Sequence, residues 1–231
     1  LDPISSEKAV QFYEKVLDFD ERSDLIRPNG VWDLGKAEAA EMAKLAETTY
    51  RNVNIALANE FALHAERLEL DAYSIIEASN SQPFSHIHQP GIAVGGHCIP
   101  VDPYYMIQRA ADVGVPAELI TAARAVNRTM PLHVADVINE ILYKSGVASG
   151  EGRILLLGWS YKAEVGDPRE TPAAPLSKAL LSKNICITVF DPHISTEDFP
   201  NDVEVLDDIE RASGFDLVVL VTAHKSSIDI D

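Results

Sequence analysis

Arg153-Ile154-Leu155-Leu156-Leu157-Gly158 decides the fold. An unbroken run of β-branched and leucine side chains closed by glycine predicts a strand buried on both faces, as parallel sheets require. Downstream, Pro172–Ser182 has the pattern of a helix, Ile185–Phe190 that of a second strand and Leu217–Val221 that of a further one. Strand, loop, helix, strand in this order predicts a Rossmann-like parallel α/β sheet. Gly146, Gly150 and Gly152 punctuate the linker before it, so the α/β segment is expected over 149–231.

Upstream the character changes. From Lys36 to Leu70 there is neither Gly nor Pro, and Ala, Leu, Glu and Met dominate, which predicts one helix roughly 50 Å long. Its apolar residues, among them Met42, Leu45, Val53, Leu57, Phe61 and Leu68, cover more than one stripe. Such a helix is expected to be buried in a bundle or a subunit interface. Asp71 is expected to cap a short helix to about Ala78, and a Pro/Gly/His-rich loop spans Asn80–Asp102. Two helical patterns follow, Pro103–Val113 and Ala117–Lys144, the second expected to break near Pro131. Ahead of the long helix, Ser5 or Ser6 can cap a helix to about Asp18, Pro28-Asn29-Gly30 turns, and Val31–Leu34 reads as a strand.

Thirty-six acidic residues against nineteen basic ones give a net charge of −17. That excludes non-specific binding to nucleic acid or anionic membrane, because both partners are negative. The longest apolar runs, Ile154–Gly158 and Leu217–Val221, fall far short of the ~20 residues that span a bilayer. Two cysteines, Cys98 and Cys186, make no disulfide framework; a reduced, cytoplasmic protein is expected.

The chemistry concentrates in Gly95-Gly96-His97-Cys98-Ile99-Pro100-Val101-Asp102-Pro103. Paired glycines allow the backbone close to a ligand. Asp102-Pro103 has the form of an N-cap followed by the first helical residue. Cys98 would then sit just before a helix N-terminus, where thiolate is favoured and a nucleophile can be built. Equally, Cys98 could be a small buried apolar residue and Asp102 merely a cap. His86, His88, His97 and Cys98 have no common zinc spacing, so no metal is expected.

This string resembles the catalytic-cysteine motif of the nucleotide-sugar dehydrogenases, which oxidise UDP-glucose, UDP-N-acetylmannosamine or GDP-mannose to uronic acids. Two further blocks agree with it in order: Ala40–Glu47 continuing through Arg51-Asn52-Val53-Asn54 to Asn59-Glu60, and Gly158-Trp159-Ser160-Tyr161-Lys162 with Asp167–Pro172 and Phe190-Asp191-Pro192. The resemblance implies a homodimer formed through the long helix and an NAD-dependent, four-electron oxidation of a UDP-sugar at C6. It implies Cys98 as the nucleophile, Lys44 as the oxyanion's cation and Asp102 as the base that activates water. Thr48 stands where the family has an assisting Asn. Gly95, Gly96 and Lys162 are implied as substrate contacts, and Arg169 as a contact of the cofactor or domain seam. A solvated helix lysine is the alternative for Lys44, and surface pairing with Glu164, Asp167 or Glu170 the alternative for Lys162 and Arg169.

His97 and Val101–Tyr104 are most similar to the UDP-N-acetylmannosamine branch. Departures are Ile92 and Ala93 for a Pro-Gly pair, Gln82 and Phe84 where an arginine is expected, and Glu69 for a helix-ending Gly. The twelve glycines form no Gly-x-Gly-x-x-Gly after a strand. The resemblance therefore implies that residues 1–35 are the end of an NAD-binding domain lying mostly outside this chain. Residues 36–148 would be the central helical domain and 149–231 an incomplete UDP-binding domain, so this chain alone is expected to be inactive. A non-catalytic, dimerising nucleotide-sugar-binding remnant is the rival reading.

Overall fold

The computed structural model describes residues 2–228. It forms two compact units, 1–47 and 48–231. The first contains α1 (Pro3–Val16), capped by Asp2, whose carboxylate accepts from the Ser5 amide at 3.0 Å and the Ser5 hydroxyl at 2.7 Å. Neither Ser5 nor Ser6 is the cap. Pro3 suits the first helical position, which moves the cap one residue upstream of it. Val31–Leu34 is not a strand, and no strand pairs with it among the described residues. Trp32 there donates to the Pro28 carbonyl at 3.0 Å and carries the Arg27 guanidinium 5.0 Å from its ring centroid.

The division between the units falls within α2 (Ala37–Arg67). Within the single chain, the inward face of α2 is not its apolar one. In the second unit α2 buries Thr48, Thr49, Asn52, Asn54, Ala56, Ala58, Asn59 and Ala65, while Leu57 and Phe61 stay about two-fifths exposed. Its inward face is small and polar because α5 (Glu118–Lys144) meets it through buried amides. Asn59 Nδ2 donates to Asn127 Oδ1 at 2.9 Å, and Asn127 Nδ2 donates to the Asn52 carbonyl at 3.0 Å and Oδ1 at 3.1 Å. The Asn59 and Asn127 amides are satisfied at both ends, and because such a bond contributes about 1 kcal/mol and costs more if orphaned, this pairing fixes one arrangement of the two helices.

α2 ends through Glu69, whose φ of 56° is the left-handed conformation that glycine adopts without steric cost. Asp71 caps α3 (Ala72–Asn80) as expected, accepting from the Tyr73 and Ser74 amides. The loop that follows is fastened by three asparagines. Asn80 bonds both the amide and the carbonyl of Ile87, Asn54 holds the His86 carbonyl and the His88 amide, and Asn59 accepts from Gly91. α4 spans Asp102–Asp112. α5 runs through Pro131 without the expected break. Ala135, Ile138 and Leu142, beyond the proline, belong to the same core as the sheet, and that packing outweighs the lost backbone bond.

β1 (Arg153–Leu157), α6 (Ala173–Leu181), β2 (Cys186–Phe190), β3 (Glu204–Val205) and β4 (Leu217–Leu220) follow, then a final turn, α7 (Lys225–Ile228). The sheet is wholly parallel in the order β3-β2-β1-β4, with Leu155 opposite Thr188 on one side and Val218 on the other. The parallel α/β expectation therefore holds, with helices α5 and α6 packed on the core. Cys186 is exposed, not buried in its strand, since burial begins at Ile187.

Candidate active site

Because β1 has β2 on one side and the later β4 on the other, the strand order reverses at β1/β4. Open parallel sheets bind ligands beyond the carboxyl ends of strands at such a point. Gly158 ends β1 there with φ 93°, and a Cβ on it would lie 2.5 Å from Thr222 in the loop after β4. Thr222 donates to the Ser160 carbonyl at 2.6 Å.

Asp191, just beyond β2, gathers these loops. Its Oδ2 accepts from the Trp159 and Ser160 amides, both at 2.7 Å, and from the Ser160 hydroxyl at 2.8 Å; Oδ1 accepts from the His193 amide at 2.8 Å. Burial pushes its pKa up, but the amides of Ser160, His193 and Trp159 outweigh burial and hold the carboxyl below 3.8. His224 is fully buried, its Nδ1 accepting the Glu164 amide at 3.0 Å and its Nε2 facing Asp191 at 3.1 Å. Nδ1 is thus the acceptor nitrogen, and the ring's proton lies on Nε2 toward the carboxylate. Glu164, His193 and His224 bring ligating atoms within 4.8 Å of one another. The amide already occupying Nδ1 keeps that trio from being an open metal site.

The Cys98 loop lies against the loop after β1. A Cβ at Gly95 would sit 2.8 Å from Tyr161 Cβ and 3.1 Å from the Glu170 carbonyl; one at Gly96, where φ is 85°, would meet the Tyr161 ring at 3.0 Å. The close approach that these glycines permit is therefore to the chain's own β1 loop, beside Lys162. His97 stands edge-to-face on Tyr161, with Nδ1 4.0 Å from Asp167. Arg169 grips Asp167 with Nε at 2.9 Å and Nη2 at 2.7 Å, and that guanidinium, with the Arg169 amide, lowers the Asp167 pKa to about 2. The pairing weighed as the alternative for Arg169 is present; Lys162 is exposed.

Cys98 is half-buried, and its carbonyl accepts from the Val101 amide at 3.0 Å and the Asp102 amide at 2.7 Å. Asp102 is not the N-cap. Val101 is already right-handed helical and takes that place without a side-chain bond, so Asp102 is the first helical residue. Its carboxyl is thereby relieved of capping, and its backbone ties the helix start to Cys98. Lys44 lies in the first unit and Thr48 in the second. Lys44 is exposed, 3.6 Å from Glu47, and Thr48 is fully buried. Asp191 and His224 organise these loops without standing out in the sequence, although Asp191 directly follows the end of β2.

Residues 38–129 match the central domain of the UDP-glucose/GDP-mannose dehydrogenase family, and residues 155–231 match that family's UDP binding domain. The chain belongs to this family. It is 35% identical to UDP-N-acetyl-D-mannosamine dehydrogenase of Methanocaldococcus jannaschii over 100% of this chain and 48% of the relative. A UDP-N-acetyl-D-glucosamine 6-dehydrogenase of Pseudomonas aeruginosa is 34% identical over 85% of the chain and 46% of its own length. The solved UDP-D-ManNAc dehydrogenase of Pyrococcus horikoshii superposes with a TM-score of 0.76 at 36% identity, covering 85% of this chain and 44% of that one. The chain thus spans about half the length of the curated relatives it matches. Among the described residues no helix is long and apolar enough to cross a membrane.

Proposed function

We propose that the chain is the substrate-handling part of an NAD-dependent UDP-sugar 6-dehydrogenase acting on UDP-N-acetylmannosamine in the cytoplasm. The single observation that carries this is the seating of Gly95-Gly96 on Tyr161, which brings the Cys98 loop beside the Lys162 loop at the mouth of the sheet. Lys162 holds the UDP phosphates, and the Cys98 thiolate attacks the C6 aldehyde carbon. The C–S bond forms as the carbonyl electrons move to oxygen, and the resemblance assigns that oxyanion to Lys44 and Thr48. When bound, NAD would accept hydride in each of the two oxidations, that of the alcohol and that of the Cys98 adduct. Asp102 then takes a proton from water, the water attacks the thioester carbonyl, and Cys98 leaves as thiolate from the carboxylic acid. Arg169 alone is assigned here to NAD, and its guanidinium is already bound by Asp167. Among the described residues no Gly-x-Gly-x-x-Gly follows a strand, so these residues alone do not fit a dinucleotide.

The sugar is read from His97 and Val101–Tyr104 and from the names of the relatives. In the catalytically complete enzyme, kcat/KM for UDP-N-acetylmannosamine is expected to exceed that for UDP-glucose at least about tenfold, a difference of roughly 1.4 kcal/mol in transition-state binding. A preference for UDP-glucose overturns that reading.

We also propose a homodimer formed through α2. Leu57 (41% exposed) and Phe61 (38%) are apolar area left uncovered by the second unit, and apolar faces of this kind mark association surfaces. Light scattering at micromolar concentration should give twice the chain mass; a monomer contradicts the assignment, as would a Leu57→Glu/Phe61→Glu variant that still dimerises.

A further inference from the structure

Behind the Cys98 loop lies a cavity of about 490 Å³, between α4, α5 and α6. Neither Cys98 nor Lys162 lines it; Val94 and Val101, on either side of the cysteine, do. Its polar wall is Tyr104, Arg124, Arg128, Lys178 and one acid, Glu170. Three cations against one carboxylate is unusual in a chain of 36 acidic and 19 basic residues. Several cations elsewhere sit on carboxylates, as Lys183 does on Asp136 at 2.7 Å and Arg169 on Asp167 at 2.7 Å. No carboxylate among the described residues forms an ion pair with Arg124, Arg128 or Lys178.

Arg124 is the built element. It is nine-tenths buried, with Nη1 donating to Asn52 Oδ1 at 2.9 Å and Cζ 5.1 Å from the Tyr104 ring centroid. Its Nε is buried and has no partner among the described residues. A desolvated guanidinium donor without an acceptor is costly, and an anion is the ligand that relieves it. Arg124, Arg128 and Tyr104 line the same cavity, and the guanidinium charge of Arg124, and less strongly of Arg128, lowers the Tyr104 pKa. The first turn of α6 lies on the wall through Ala174 and Pro175 and adds partial positive charge.

We infer that this cavity binds a phosphate-bearing small anion, held by Arg124, Arg128 and Lys178, at a site separate from Cys98 and Lys162. Planar arginine forks match phosphate oxygens bidentately, and a cavity of this size admits more than a single ion. The source of the phosphate is either inorganic diphosphate or the diphosphate of a nucleotide.

Calorimetry on the 231-residue chain tests this with inorganic pyrophosphate and with UDP as probes. Arg128 and Lys178 are exposed, so their removal should not unfold the chain. The Arg128→Ala/Lys178→Ala variant is expected to weaken pyrophosphate binding about tenfold or more, while Lys162→Ala and the charge-matched Arg109→Ala/Lys144→Ala change it less than about twofold. UDP displacing pyrophosphate with the same variant dependence identifies a nucleotide as the occupant; pyrophosphate binding alone identifies the inorganic ion. Bound anion should also raise the Tyr104 ionisation back toward the ordinary phenol value, read by ultraviolet difference titration against Tyr104→Phe. Absence of saturable pyrophosphate binding overturns the inference. So does binding that Lys162→Ala abolishes and the double variant leaves intact.

Discussion

Cys98→Ala in the catalytically complete enzyme is expected to reduce uronic acid formation by roughly four orders of magnitude or more, as loss of a covalent nucleophile does elsewhere. The first oxidation, alcohol to aldehyde, makes no bond to sulfur, so the variant should still reduce one equivalent of NAD and stall with aldehyde on the enzyme. A trapping reagent such as hydroxylamine would collect it. The second oxidation needs a tetrahedral carbon from which hydride can leave, and without the thiol only hydrated aldehyde offers one. Cys186→Ala is the control. Cys186 is exposed at the first residue of β2, at the amino end of a sheet whose carboxyl end faces the site, and its removal should leave acid formation unchanged. Comparable acid formation by Cys98→Ala and the parent would end the assignment.

That prediction rests on the part of the site most legible in the sequence. The string Gly95–Pro103 is contiguous, so the proximity of Cys98 to Asp102 is guaranteed by the chain; only the role of the Asp102 backbone was misjudged. A cap is decided by the φ/ψ of the residue before the helix, and Val101 adopts helical angles that residue identity alone does not announce. β1 was legible to the residue because four consecutive branched side chains, Ile154–Leu157, permit little else. The inward face of α2 was not. Periodicity weighs apolar size, whereas this face closes through amides whose partners, Asn59 and Asn127, are 68 residues apart. Separation in sequence also hides the cation-lined cavity, which needs Tyr104, Arg124 and Lys178 from three different helices. Asp191 escaped for another reason. An aspartate before a proline reads as an ordinary turn residue, and nothing local shows that four donors from the neighbouring loops will reach it.

Asp191→Ala is expected to cost about 3–5 kcal/mol, since it strands buried donors and a desolvated histidine. The Trp159 and Ser160 amides, the Ser160 hydroxyl, the His193 amide and His224 Nε2 all lose their acceptor. At roughly 2–4 °C per kcal/mol for a domain of this size, Tm should fall by about 6–20 °C. Asp191→Asn should cost less. One oxygen can keep the Oδ2 contacts, leaving the new amide nitrogen against the His193 N–H. The pH dependence carries its own sign. The folded carboxyl is held below its unfolded value of 3.8, so its contribution is complete above 3.8 and is lost as pH falls below that value through the folded pKa. The gap in stability between parent and Asp191→Asn should therefore be constant at neutral pH and close on acidification below pH 3.8. The consequence for function follows from position. The clamped segment Trp159–Ser160 leads directly into Tyr161, on which Gly95-Gly96 is seated, and into Lys162. Loosening it should raise the dissociation constant for UDP well before the chain unfolds. An Asp191→Ala protein whose Tm lies within about 2 °C of the parent, a shift of roughly 1 kcal/mol or less, would show that the loops are held by other contacts.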